Sequence, residues 1–170
     1  MRTLFDLDKK DYNENGTKLI RPSVRGIIIK GDKIALVHSL KYDYYKFPGG
    51  GMNEGESHLE TLIREVHEES GLTVIPDSIE EYGIVHRIQR GQNVDMFVQD
   101  NFYYLCDAED EIKSQDLDDY EADESFTLEF IKPQPAIAAN RKENHGPKSK
   151  AMIEREALVL EMLIDEGYFD

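Results

Sequence analysis

The sequence predicts an α/β fold with a mixed central sheet, and three observations carry that prediction. Runs rich in β-branched and aromatic residues recur at 23–30, 33–39, 80–90, 94–106 and 125–131. Among them, residues 57–71 combine a helix start signal, an apolar stripe of helical period and a stop signal. A second amphipathic stretch runs on from Ser149. At 170 residues the chain fits one domain, 1–170, able to bury roughly 70% of its unfolded surface. Residues 1–20 match no element of that plan, and 107–124 reads as an acidic loop.

Taken in order, "SVRGIIIK" (23–30) and "KIALVHS" (33–39) flank Gly31-Asp32, the pattern of a hairpin. The segment "KYDYYKFPGGGMNEGE" (41–56) passes from an aromatic strand into a glycine loop. Ser57 followed three residues later by Glu60 has capping-box form. Leu59, Leu62, Ile63 and Val66 then fall on one helical face, and Gly71 sits where a left-handed C-terminal cap is expected. The helix thus covers about 58–69. Strands at 80–90 and 94–106 surround Gly91-Gln92, with Gln99-Asp100-Asn101 a candidate break in the second. A further strand is expected at 125–131. The last helix aligns Ile153, Ala157, Leu160 and Ile164, a face that serves either the core or a homodimer contact.

Composition narrows the function classes. The formal charge is −15, from 35 acidic and 20 basic residues, which argues against duplex nucleic acid or an anionic membrane as a bulk partner. Ten acids and one lysine lie between Asp107 and Glu124, so that segment alone carries −9. A lone cysteine, Cys106, excludes an internal disulfide and disfavours a cysteine-based zinc site. The opening "MRTLFDLDKK" is charged too early for a signal peptide, and no apolar run approaches the roughly 20 residues of a membrane span. The chain reads as soluble and cytoplasmic.

The stretch "REVHEESGL" (64–72) carries the chemistry. At 100° per residue, Glu65, Glu68 and Glu69 span about 100° of the helix circumference, beside the apolar stripe. Such carboxylates repel one another by a few tenths of a kcal/mol per pair unless something positive sits among them. The divalent ion that prefers carboxylate oxygen is Mg²⁺, or Mn²⁺ in its place, and Mg²⁺ shares its shell with waters and substrate phosphates. The helix is entered from Phe47-Pro48-Gly49-Gly50-Gly51, whose backbone can approach an anion or offer carbonyls to a metal. Glu56 ends that loop and Arg64 precedes the first glutamate.

Gly50, five residues, Glu56, seven residues and then Arg64 to Leu72 resembles the Nudix box with every fixed position filled, and "FPGG" upstream resembles the same family. The resemblance implies a Nudix-type α/β/α sandwich and a Mg²⁺-dependent hydrolase of nucleoside diphosphates linked to another moiety. It implies that Glu65, Glu68 and Glu69 bind metal, that the Gly49 carbonyl adds a ligand, and that Glu56 and Arg64 shape the site. One of the box glutamates or a later acid would activate water. Many members supply a further carboxylate from the loop before a late strand, for which Glu124 is the first candidate and Glu121 the second. Members acting on ADP-ribose resemble one another in a downstream proline, yet Pro76 lies almost against the box and the next is Pro133. Tyr82 is too near for the diadenosine-polyphosphate pattern, and no coenzyme A pattern is visible. Elimination leans to a small-molecule nucleotide substrate, a nucleoside triphosphate or a relative.

Other readings compete. A Nudix-like domain that binds a nucleotide without hydrolysing it has less reason to keep the glutamate set, and a calcium protein built on 107–124 lacks the glycine of an EF-hand loop. Tyr42, Tyr44 and Tyr45 suit a half-buried strand better than base stacking. Arg21, Arg25, Arg87 and Arg90 read individually as strand-surface residues, with phosphate contact the alternative. The basic stretch 141–150 reads as a soluble loop. His67 points away from the glutamates by about 160° and has no role, and His38, His86 and His145 lack metal-site spacing.

Overall fold

The computed structural model describes residues 1–169. In chain order the elements are β1 (Thr3–Asp8), β2 (Lys18–Ile20), β3 (Ser23–Ile27), β4 (Ile29–Lys30), β5 (Lys33–Ser39), β6 (Tyr44–Lys46), β7 (Gly49–Gly51) and α1 (His58–Ser70). A single 3₁₀ turn (Pro76–Ser78) leads into β8 (Glu80–Gln89) and β9 (Met96–Leu105). Then come α2 (Asp119–Asp123), β10 (Thr127–Ile131), α3 (Pro133–Asn140) and α4 (Lys150–Asp165).

Two sheets form. The larger runs β1-β8-β9-β3-β7 with β2 also on β9, and it is mixed: β3 pairs parallel to β9 and antiparallel to β7. The smaller, antiparallel sheet runs β10-β5-β4 with β6 on β5. Strand alternation then divides the core. Val24, Ile28 and Ala35 pack with Leu62 and Val66 of α1, whereas Ile27, Ile34, Leu36 and Phe47 pack with Val159, Leu160 and Leu163 of α4. The result is the expected α/β/α sandwich. None of the described helices is long and apolar enough to cross a membrane, and α4 spends Ile153, Ala157 and Leu160 on the core.

Several sequence expectations need correction. The 23–30 run is not one arm of a hairpin. It splits at Ile28, with β3 in the large sheet and β4 alone turning through Gly31, at φ 64°, into β5. The Gln99-Asp100-Asn101 triplet does not interrupt β9, because Asn101 is buried and accepts from the Ser23 hydroxyl at 2.7 Å and from Arg155 Nη1 at 2.8 Å. Residues 1–20 hold two strands, β1 parallel on β8 and β2 parallel on β9. Segment 107–124 is not a free acidic loop: it contains α2 and docks on α1, where the Gln115 amide donates to the Glu69 carbonyl at 2.6 Å.

The α1 caps match their sequence signals. Ser57 and Glu60 form the reciprocal capping box, and Gly71 takes φ 78° and donates to the His67 carbonyl. Burial along α1 centres on Leu62, Val66 and Glu69, with Leu59 left exposed. Glu69 therefore lies within the buried stripe, not beside it.

Candidate active site

The site is assembled where α1 crosses β7. Gly49 pairs with Arg25 on β3, and a Cβ added at Gly49 would lie 2.1 Å from the Val24 carbonyl oxygen. With φ 151° as well, only glycine lets these two strands close. At Gly50 an added Cβ would lie 2.5 Å from Glu65 Oε2, so the missing side chain is the space that the Glu65 carboxylate occupies.

Glu69 is fully buried. Its Oε1 accepts from the Gly49 N–H at 2.8 Å and its Oε2 from Lys46 Nζ at 2.5 Å. Burial pushes the carboxyl up to about 7, against the opposing pull of the Lys46 ammonium. Lys46 also donates to the Gly49 carbonyl at 3.3 Å. One ammonium is thus held by the two oxygens that the sequence reading assigned to a metal.

Arg64 organises the remaining acids. Its Nε and Nη2 fork onto Glu56 at 2.7 and 2.8 Å, its Nη1 reaches Glu65 at 2.8 Å and Glu68 at 3.1 Å, and Nη2 also donates to the Gly51 carbonyl at 3.2 Å. The Arg64 guanidinium and the Asn53 N–H hold the Glu56 carboxyl at about 2. Burial and the charge of Glu65 raise Glu68. Among the described residues no three carboxylate, imidazole or thiolate groups stand close enough together to hold an ion as they are. The donor set is nonetheless all oxygen, and the Gly49 carbonyl and Glu69 carboxylate already converge on one cation. That chemistry fits a hard divalent ion.

A cavity of about 350 Å³ opens over this cluster. Glu65, Asp118 and Glu121 supply acid to its lining, and Arg21, Arg25, Lys46 and Lys148 supply cations. Phe97, Tyr120 and Phe126 give it aromatic surface. A larger depression of about 510 Å³, lined by residues of α3 and α4 that include Ile137 and Ile164, contains none of these groups.

The two late acids take different places. Glu124 is buried with its Oε1 accepting from the Ser39 and Tyr44 hydroxyls at 2.8 Å each and its Oε2 from Lys148 at 2.8 Å. It fastens the loop to β5 and β6 and does not line the cavity. Glu121 does line it, and its charge adds to the upward push on Glu69. Arg25 and Arg87 are buried, which corrects their reading as surface residues, whereas Arg90 is exposed. The 141–150 stretch sends Lys148 into the cavity. Lys46 was missed altogether. Strand alternation held the signal: Tyr45 and Phe47 belong to the α4 side of the core, so Lys46 between them faces the α1 side.

Comparison with known proteins places this geometry. The family model described as NUDIX domain matches residues 19–150. The RNA pyrophosphohydrolase of Ruthia magnifica subsp. Calyptogena magnifica is 46% identical over 50 residues, 28% of either chain. That of Stenotrophomonas maltophilia strain K279a is 34% identical over 64 residues, 37% of this chain and 30% of the relative. These matches span less than a third of the relatives' lengths. Among solved structures, a MutT from Aliivibrio salmonicida or Vibrio cholerae superimposes with TM-score 0.56 at 19% identity, covering 87% of this chain and 99% of that one. The MutT NUDIX hydrolase of Burkholderia pseudomallei gives 0.56 at 17% identity, covering 84% and 98%. At these identities the superpositions speak for the fold.

Proposed function

The chain belongs to the Nudix family, and on that premise we propose that it is a pyrophosphohydrolase that cleaves a phosphoric anhydride in a nucleoside triphosphate or related nucleotide. One observation carries the reading: Glu65 and Glu69 approach Gly50 and Gly49 at one end of a cavity that also holds Arg21, Arg25, Lys46 and Lys148. Acid to hold a metal and base to hold phosphate share one space. The strands of residues 1–20 extend the same sheet, which supports 1–170 acting as one Nudix domain.

Glu65, Glu68, Glu69 and the Gly49 carbonyl would hold Mg²⁺, with Mn²⁺ able to replace it. The ion supplies charge neutralisation at the phosphate oxygens and water activation. The remaining work falls to the chain. Lys46 must leave Glu69 and the Gly49 carbonyl before either serves as a ligand, and the cavity then offers its ammonium to a phosphate oxygen. Arg64 keeps Glu65 and Glu68 in place through both events. Water attacks one phosphorus, the bridging P–O bond breaks with its electron pair on the leaving phosphate, and a carboxylate takes the proton. Glu121, lining the cavity beside Glu69, is the late acid best placed for that role, ahead of Glu124. The lone, buried Cys106 supports a reducing cytoplasmic setting.

The test is a panel of nucleoside di- and triphosphates, nucleotide conjugates and 5′-triphosphate RNA, assayed with Mg²⁺ or Mn²⁺. The RNA substrate is included because the curated relatives carry that name. Turnover of at least one nucleotide is expected, with Glu69→Gln lowering kcat by roughly 10²-fold or more, the scale of removing one preorganised charged group. Binding without turnover across the panel would instead favour a regulator that reads nucleotides.

A further inference from the structure

The strongest unassigned feature is a group of arginines behind and beside the same cavity. Arg21 and Arg25 line it together with Phe97 and Gln99. Arg87 lies directly across from Gln99 in the β8–β9 ladder, and Arg155 reaches in from α4. Gln99 Oε1 accepts from Arg87 Nη1 at 3.4 Å and from Arg155 Nη1 at 3.3 Å. Those two donors fix the orientation of the amide and leave its NH₂ group without a hydrogen-bond partner among the described residues.

Charge balance in this cluster is poor. Glu156 is the carboxylate that reaches it, 3.3 Å from Arg155 Nη2 and 4.0 Å from Arg25 Nη1. Among the described residues neither Arg21 nor Arg87 has a carboxylate within 4.0 Å. Arg25 and Arg155 are 6% and 0% exposed, and the Nε of each is buried with no hydrogen-bond partner. One carboxylate shared by two buried guanidiniums, and none at the buried Arg87, leaves a surplus of buried positive charge that an anion would balance, while Arg21 is exposed and lines the same cavity. Burial, with the charges of Arg155 and Arg25, lowers Arg87 to about 10, which reports the same imbalance.

Position then selects the anion. Arg25 is the cross-strand partner of Gly49, about 4.8 Å away by strand spacing, and Gly49 joins the glutamate cluster through its N–H. A guanidinium fork matches phosphate oxygens bidentately. Resting on the pyrophosphohydrolase reading, we propose that Arg21, Arg25 and the Gln99 amide, backed by Arg87 and Arg155, hold a phosphate beyond the bond that is cleaved. The subsite makes a triphosphate or longer chain the preferred substrate over a diphosphate.

Calorimetric titration of the full chain in chelator and low salt with inorganic tripolyphosphate, pyrophosphate and orthophosphate tests the subsite without any hydrolysis. Tripolyphosphate is expected to bind tightest, and Arg21→Gln and Arg25→Lys each to weaken it by at least about tenfold, the scale of a charge-assisted pair. Melting curves establish that the variants are folded. Arg21 makes no ion pair, so it carries the test if the Arg25 variant does not fold. No tripolyphosphate binding by the unaltered chain, orthophosphate binding as tightly, or variants binding unchanged would each overturn the proposal. With Mg²⁺ present, Arg21→Gln should raise KM for a nucleoside triphosphate about tenfold more than for the diphosphate, and equal increases would also overturn it. Tripolyphosphate binding that depends on Arg21, in a chain that turns over no nucleotide, refutes the hydrolase reading and upholds the subsite.

Discussion

Glu56, Glu65, Glu68 and Glu69, the acidic wall of the site, are each paired with a cation of the chain, whereas the arginines of the same cavity have one carboxylate among them. Glu56, Glu65 and Glu68 all reach one guanidinium, Arg64, and Glu69 is paired with Lys46. Across the cavity, Arg21, Arg25, Arg87 and Arg155 have Glu156 as the one carboxylate that comes within 4.0 Å of any of them, among the described residues. The acidic wall can wait without a ligand because Arg64 and Lys46 pair with its carboxylates, and in the proposed mechanism Lys46 moves while Arg64 stays. The basic wall keeps two buried Nε donors without partners and a surplus of positive charge, which the proposed phosphate would balance. Charge on the two sides therefore does different work: one side is held in reserve and the other stands open.

Removing the single counterion of the basic wall should have the largest effect. Glu156 accepts from the Tyr103 hydroxyl at 2.7 Å and the Phe47 N–H at 3.3 Å, and Arg155 and Arg25 hold it below the usual carboxylate range against the upward push of burial. Glu156→Gln strands two buried guanidiniums and should cost about 3–5 kcal/mol in chemical denaturation. A loss below about 1 kcal/mol would mean that water already balances these charges, and the contrast between the walls would fail.

Breaking the acidic wall should be milder for stability and harsher for activity. Arg64→Lys keeps the charge but loses the planar fork that spans Glu56, Glu65 and Glu68. If Glu65 and Glu68 hold a metal as proposed, the expected result is a kcat/KM lower by roughly 10- to 100-fold, the scale for groups that orient metal ligands, with the melting temperature nearly unchanged. Equal activity in the variant would show that the glutamates need no such fixing.

The same contrast explains what the sequence made legible. The acidic wall was readable because Glu56 to Glu69 lie within one loop and one helix, where the 3.6 period converts spacing into a shared face. The caps at Ser57 and Gly71 were readable for the same local reason. The basic wall draws on β3, β8, β9 and α4, and no window of sequence contains Arg25 and Arg155 together. Arg25 and Arg87 looked like isolated surface residues because β-strand alternation says which face a residue takes but not what covers that face, and Arg155 drew no reading at all. Strands β1 and β2 were missed because they bury little of their own surface and exist by pairing with β8 and β9. Burial of Glu69 escaped notice because a glutamate is expected outside until Lys46 and the Gly49 N–H are known to receive it.

The smallest effect concerns how the acidic wall fails in acid. Glu56 has its carboxyl held at about 2, against an ordinary 4.5, first by the Arg64 guanidinium and next by the Asn53 N–H. A carboxylate depressed in the folded state contributes stability that is fully present above its unfolded value and is lost as pH falls through the folded one. Glu56 should therefore stabilise the chain at neutral pH, and that contribution should drain away between about pH 4.5 and pH 2. Thermal melts of the unaltered chain and of Glu56→Gln across this window read it directly. The gap between the two melting temperatures should be widest near neutrality and close toward pH 2. A gap that stays constant with pH would show that Arg64 holds Glu56 through shape alone, and the acidic wall would then owe its order to packing and not to the charge pairing that sets it apart from the basic one.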